Sequence, residues 1–247
     1  MVQNSQIYDR IGRGYAARRR PDPRIGAFVW RALGGSASIV NVGAGTGSYE
    51  PGDRRVVAVE PSIVMIRQRP PHAAPVVRAS AGTLPFRDRS FDAALAVLTL
   101  HHWPDWRGGL SEMARVARGP VVLLTWDPAA CEFWLVEDYF PEIMLIDRAI
   151  FPTMDEMRQV LGRMAVSAVP VPHDCTDGFL GAYWRRPHAY LDPQVRAAIS
   201  AFTKLNDVAA RLQRLADDLE SGEWNRRHGA LLGQDSIDLG YRVVVTA

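Results

Sequence analysis

The residues able to do chemistry are concentrated in the first half of the chain. Gly43-Ala44-Gly45-Thr46-Gly47 follows directly on a β-rich run, Ile39-Val40-Asn41-Val42. A glycine loop leaving a strand lets a ligand approach the backbone, because no Cβ stands in the way. Its N–H groups, with a helix N-terminus behind them, favour an anion. Two anions suit it: the pyrophosphate of a dinucleotide, or the carboxylate of a cofactor that carries an amino acid. Spacing separates them. Dinucleotide sites use GxGxxG; here the glycines stand at 43, 45 and 47, and position 48 is serine. Glu60 closes a second β-rich run, Val56-Val57-Ala58-Val59. A carboxylate at the end of that strand accepts hydrogen bonds from both hydroxyls of an adenosine ribose and disfavours a 2′-phosphate. His101, after a fourth run, is the candidate catalytic base, since an unperturbed imidazole titrates near neutrality. The alternative for His101 is a packed or capping histidine.

These residues need a scaffold that brings them together. Asp22-Pro23 reads as a helix start, a cap followed by proline at the first position. Ile25, Phe28, Val29, Ala32 and Leu33 form the apolar stripe of that helix. Apolar strands are expected over 39–42, 56–59, 75–79, 91–97 and 121–124. Between them lie a short helix capped by Ser62 and a helix carrying Leu110, Met113, Ala114 and Ala117. Buried strands alternating with helices imply a parallel sheet covered on both faces. Ligands bind such sheets at the carboxyl ends of the strands, where the strand order reverses. The glycines, Glu60, Ser80 and His101 all fall at those ends. The link from Gly47 to Val56 is short, so the helix after the loop is expected to be a turn or so. Ten of the 22 aromatic residues lie within 125–190. Phe133, Trp134, Tyr139 and Phe140, with Tyr183 and Trp184, are candidates to line an apolar acceptor pocket. Gly240 to Val245 reads as a last strand next to the sheet edge.

A chain of 247 residues with 47% apolar and 23% charged residues is globular and suits one α/β domain. The expected division is an N-terminal helical leader, 1–35; a cofactor-binding core, 36–127; an acceptor-side elaboration, 128–235; and the last strand, 236–247. Net charge is only +2, which gives no reason to expect nucleic acid or an anionic membrane as partner. Basic residues are almost all arginine, Lys204 being the only lysine. Two cysteines without metal-ligand spacing imply neither a zinc site nor a disulfide framework. No apolar run is long enough to span a membrane, and residues 1–8 lack an apolar signal core. A cytoplasmic monomer or homodimer is expected.

The combined pattern resembles the class I S-adenosylmethionine-dependent methyltransferases, in particular the branch containing the ubiquinone and menaquinone C-methyltransferases. The matching residues are Asn41 to Gly47, Val59-Glu60-Pro61-Ser62 with Met65, Leu84-Pro85-Phe86 through Ser90-Phe91-Asp92, Leu100-His101-His102-Trp103, and Glu112 to Val116. The likeness covers about residues 5–127 and, loosely, the final strand. It implies a Rossmann-like, doubly wound, mostly parallel seven-stranded sheet with helices on both faces and a helical, aromatic-rich cap. It implies that Gly43, Ala44, Gly45 and Gly47 wrap the methionine half of S-adenosylmethionine. Glu60 would bind the ribose, Pro61 and Met65 would flank the adenine, Ser80 and Ala81 would contact its amino group, and Leu98 and Thr99 would lie beside the sulfonium. Tyr15 and Arg20 of the leader would close over the cofactor, an arginine pairing its carboxylate. Asn41 and Ser80 stand where the family commonly has acidic residues, and each removes a negative charge near a cationic cofactor. The implied reaction is methyl transfer to a small-molecule acceptor. A methyltransferase-fold binding protein without turnover and a nicotinamide-dependent oxidoreductase are the alternatives.

Overall fold

The computed structural model describes residues 19–246. The first helix, α1 (Pro23–Ala32), is capped by Asp22, whose side chain accepts from the Arg24 N–H. Strand β1 (Ser38–Val42) and strand β2 (Arg55–Val59) follow, then α2 (Ile63–Arg67), capped by Ser62. Next come β3 (Val76–Val77), β4 (Ala93–Val97), α3 (Trp106–Val116) and β5 (Val121–Trp126). The cap holds α4 (Pro141–Ile150) and α5 (Met154–Leu161), which lead to β6 (Met164–Ala168) and β7 (Val171–Pro172). Helices α6 (Pro193–Ala197), α7 (Ala209–Glu220) and α8 (Glu223–His228) precede β8 (Ser236–Ile237) and β9 (Tyr241–Thr246).

The main sheet has seven strands in the order β3-β2-β1-β4-β5-β9-β6. Strands β1 to β5 are parallel, and β9 is antiparallel to both neighbours. Period-2 alternation sorts the strand residues into two cores. Ile39, Leu95, Val122 and Leu124 face α1 and the cap. Val40, Val42, Ala94, Ala96, Val121 and Leu123 face α3 and Met157 of α5. Order reverses between β1 and β4, so the carboxyl ends of β1, β2 and β4 open on one crevice.

Two features differ from the sequence reading. The segment 128–235 is not wholly an elaboration, because it supplies the sheet's edge strand β6. Apart from the half-buried Met164, that strand is exposed, and Ser167 interrupts its short apolar stretch. The aromatics Phe133, Trp134, Tyr139, Phe140 and Trp184 are all 3% exposed or less and fill the core of the cap. The Trp134 indole packs edge-on against Tyr139, Tyr190 and Trp224 and donates to the Trp184 carbonyl at 2.8 Å. These rings line neither of the two cavities described below.

Candidate functional site

The glycine loop leaves β1 in a conformation that side chains resist. Gly43 and Gly45 have φ of +69° and +52°, in the left-handed region that costs a residue with a Cβ. At Gly43 a Cβ would lie 2.3 Å from Thr99 Oγ1, so this glycine also permits close approach of the β4 end. No helix follows the loop, which continues in turns to Arg55. The helix dipole expected behind the loop is therefore absent, because Pro51, Gly52 and β2 leave no length for a helix. A buried ion pair takes over the support. Arg69 and Glu50, 5% and 8% exposed, pair at 2.8 Å. Arg69 also donates to the Gly45 carbonyl at 3.1 Å. Gly47 packs on this pair, its would-be Cβ 3.1 Å from Glu50 Oε2.

Glu60 fixes the other wall. It is 6% exposed; Oε2 accepts from the Gly45 N–H at 2.8 Å and Oε1 from the Ser62 N–H at 2.9 Å. An ionised carboxylate is acceptor-only, and this one lines the crevice. Asn41 donates to Glu50 Oε1 at 3.1 Å, while its own Oδ1 is buried without a hydrogen-bond partner. An unmatched buried acceptor costs about 1–3 kcal/mol, and this one belongs to a residue that lines the crevice.

The crevice is a cavity of about 430 Å³, within the usual size of a small-molecule site. Ten residues singled out from sequence line it: Gly43, Ala44, Gly45, Glu60, Pro61, Met65, Ser80, Ala81, Leu98 and Thr99. Three others do not. Gly47 lies beneath, on the ion pair. Arg20 is exposed and off the wall; its neighbour Arg19 takes that place. His101 faces a second cavity. Tyr15 lies outside the described residues.

Sequence reasoning missed the network at the loop end of the cavity. Arg19 Nε donates to Asp177 Oδ1 at 2.5 Å, and the Tyr49 hydroxyl donates to Asp177 Oδ2 at 2.8 Å. Tyr49 has φ +63° and is buried. Asp177 comes from the cap, 128 residues from Tyr49 along the chain, so local pattern carries no signal for it. Leu98, with φ +48°, sits where β4 ends and borders both cavities. Such strain in a residue with a side chain persists where surrounding structure over-determines it.

The second cavity is about 60 Å³ and shares Arg19, Leu98 and His102 with the first. The His101 ring stacks on Phe151 at 4.0 Å and packs against His102. Burial, helped by the neighbouring His102 ring and by the charges of Lys204 and Arg19, pushes the His101 pKa well below its ordinary value. Burial likewise pushes His102 down to about 3. Both imidazoles are uncharged at neutral pH.

Comparison with known proteins fits this geometry. A family model described as a methyltransferase domain matches residues 40–124. A crystal structure from Anabaena variabilis ATCC 29413, of a protein assigned as a methyltransferase of an antibiotic biosynthesis pathway, is 36% identical. It superposes with a TM-score of 0.84 over 93% of this chain and 99% of its own. The chain belongs to the class I S-adenosylmethionine-dependent methyltransferases. A demethylmenaquinone methyltransferase of Corynebacterium kroppenstedtii is 32% identical over 118 residues, 48% of this chain. The chain spans about half the length of the curated relatives it matches. A phosphoethanolamine N-methyltransferase of Haemonchus contortus, crystallised with S-adenosyl-L-methionine, shares the fold at 15% identity and a TM-score of 0.59. That match covers 100% of this chain and 60% of the other.

The residues of this methyltransferase fit the family's cofactor. A Cβ at Gly45 would crowd Met65 on the cavity wall, Asn41 offers a bare acceptor for an amino group, and Glu60 places an acceptor-only carboxylate on the same cavity. Among the described residues no helix is long and apolar enough to cross a membrane.

Proposed function

We propose that this methyltransferase carries a methyl group from S-adenosylmethionine to a hydroxylated small molecule at the junction of the two cavities. The single observation that carries the reading is the 430 Å³ cavity where strand order reverses, with the glycine loop and Glu60 on its walls. When bound, S-adenosylmethionine supplies a methyl carbon on a cationic sulfur. Gly43 to Gly45 bind the methionine half, the Asn41 Oδ1 accepts from its amino group, and Arg19 stands at that end in place of Arg20. Glu60 accepts from the ribose hydroxyls. Pro61 and Met65 flank the adenine, and Ser80 and Ala81 border its edge. Leu98 and Thr99 separate the cofactor from the acceptor. Orienting two reactants and excluding water supplies much of such a rate enhancement. The chain offers two groups to handle an acceptor proton, His101 and the Asp147–Lys204 pair, both in the second cavity.

The curated relatives carry the name demethylmenaquinone methyltransferase, so hydroquinones head the acceptor panel. Incubation with methyl-labelled cofactor and a panel of hydroquinones, phenols and amines is expected to label a hydroxylated acceptor. Labelled amines alone would overturn the acceptor class. Cofactor binding with no labelled product from any of them would favour a binding protein without turnover.

A further inference from the structure

The walls of the second cavity are largely apolar, with Trp126, Phe151 and Phe179 among them. They carry one internal ion pair. Lys204 Nζ lies 3.5 Å from Asp147 Oδ1, the two side chains being 20% and 6% exposed. Beside them His101 presents a buried Nδ1 with no hydrogen-bond partner. Lys204 is the only lysine in a chain with 29 basic Lys and Arg residues. A guanidinium is a wide planar fork, whereas an ammonium is a compact point charge. The ammonium is the more compact donor for a space of about 60 Å³, room for roughly two waters.

The charged and titratable groups around Lys204 decide what can enter. Asp147 opposes it. His101 and His102 are neutral, and the Arg19 charge is matched by Asp177. The cavity thus holds an ion pair and no net charge. A neutral guest enters more cheaply than an ion. A protonated amine would bring a third cation to Lys204 and Arg19 and would compete for Asp147. A hydroxyl avoids this: its proton can pass to the Asp147 carboxylate and its oxygen can take that carboxylate's place on Lys204. One O–H bond breaks, one forms, and the net charge is unchanged. Burial raises the Asp147 pKa above its usual range, which favours receiving the proton.

We propose that the second cavity takes the hydroxyl end of a phenol or enol acceptor, which Asp147 deprotonates and Lys204 holds as the oxyanion. The bare His101 nitrogen is the remaining partner for that oxygen. The proposal rests on the methyltransferase reading, since it treats this cavity as the acceptor's side of the cofactor site.

The test uses 4-nitrophenol as probe, because its anion is coloured, and the full chain with and without S-adenosylhomocysteine. Bound probe is expected to ionise at least about one pH unit below free probe. Lys204→Met should erase that shift and weaken nitrophenolate about ten-fold or more. Asp147→Asn, which releases Lys204 from its partner, should tighten nitrophenolate. Affinity for S-adenosylhomocysteine, measured by calorimetry, should stay within two-fold in both variants, which also shows that they fold. Absence of probe binding, a bound probe that titrates like the free one, or an unchanged shift in Lys204→Met overturns the proposal. Failure of the wild type to bind S-adenosylhomocysteine would instead overturn the methyltransferase reading, whatever the probe does.

Discussion

Replacing Gly45 with valine is expected to abolish binding of S-adenosylhomocysteine while the protein stays folded. Gly45 sits at φ +52° on the cavity wall. Its N–H is held by Glu60 and its carbonyl by Arg69, so the loop cannot turn the residue into a relaxed conformation without losing both. A β-branched side chain is stiff and ill suited to positive φ. Its Cβ would also approach the Met65 methyl at 3.3 Å and fill space that the methionine half of the cofactor needs. Strain of this kind costs about 1–3 kcal/mol, against a typical stability of about 5–15 kcal/mol. The fold therefore survives and the ligand does not bind. Calorimetry and a thermal melt on the same sample check both halves. A folded variant with wild-type affinity would show that the loop is not the site.

Glu60→Ala has the second-largest expected effect, a loss of about 1–3 kcal/mol in cofactor affinity, or roughly five- to 150-fold. Two losses combine. The ribose hydroxyls lose their acceptor, and the Gly45 and Ser62 N–H groups lose theirs. Fragments separate the contributions. Methylthioadenosine, which contains the ribose, should lose most of the affinity; homocysteine, which lacks it, should lose the smaller part due to loop relaxation. A loss confined to homocysteine would mean that Glu60 shapes the loop and does not hold the ribose.

What could be read from sequence follows physical range. The glycine loop, Glu60 and the Ser62 cap are fixed by residues within a few positions of one another. The alternation of strands and helices then placed them at the carboxyl ends of β1 and β2, which face one crevice. The inner parallel strands β1, β2, β4 and β5 were legible because burial favours continuous apolar runs. Strand β6 was not: it is a five-residue, largely exposed edge strand whose apolar stretch Ser167 interrupts. The aromatic residues were visible, but composition cannot tell a cap core from a pocket lining. Trp134 and Trp184 satisfy their indole N–H groups on backbone carbonyls inside the cap. Cavity rings came instead from Trp126, Phe151, Phe179 and Tyr241. Long-range partners escaped entirely: Asp177 joins Arg19 and Tyr49, and Asp147 joins Lys204, across separations that no local pattern encodes. The shift of register from Arg20 to Arg19 has the same origin, since Arg19 is the arginine that pairs with Asp177.

The central claim is the kind of cofactor the glycine loop accepts, and titration calorimetry with two ligands tests it most directly. Two features of the loop separate the candidates. Its spacing lacks the third glycine position of a dinucleotide site, and no helix N-terminus stands behind it to hold a pyrophosphate. Glu60 alone does not discriminate, since both ligands carry an adenosine ribose. The predicted result is saturable binding of S-adenosylhomocysteine and no heat from NAD. Saturable binding of NAD with no signal from S-adenosylhomocysteine would contradict it.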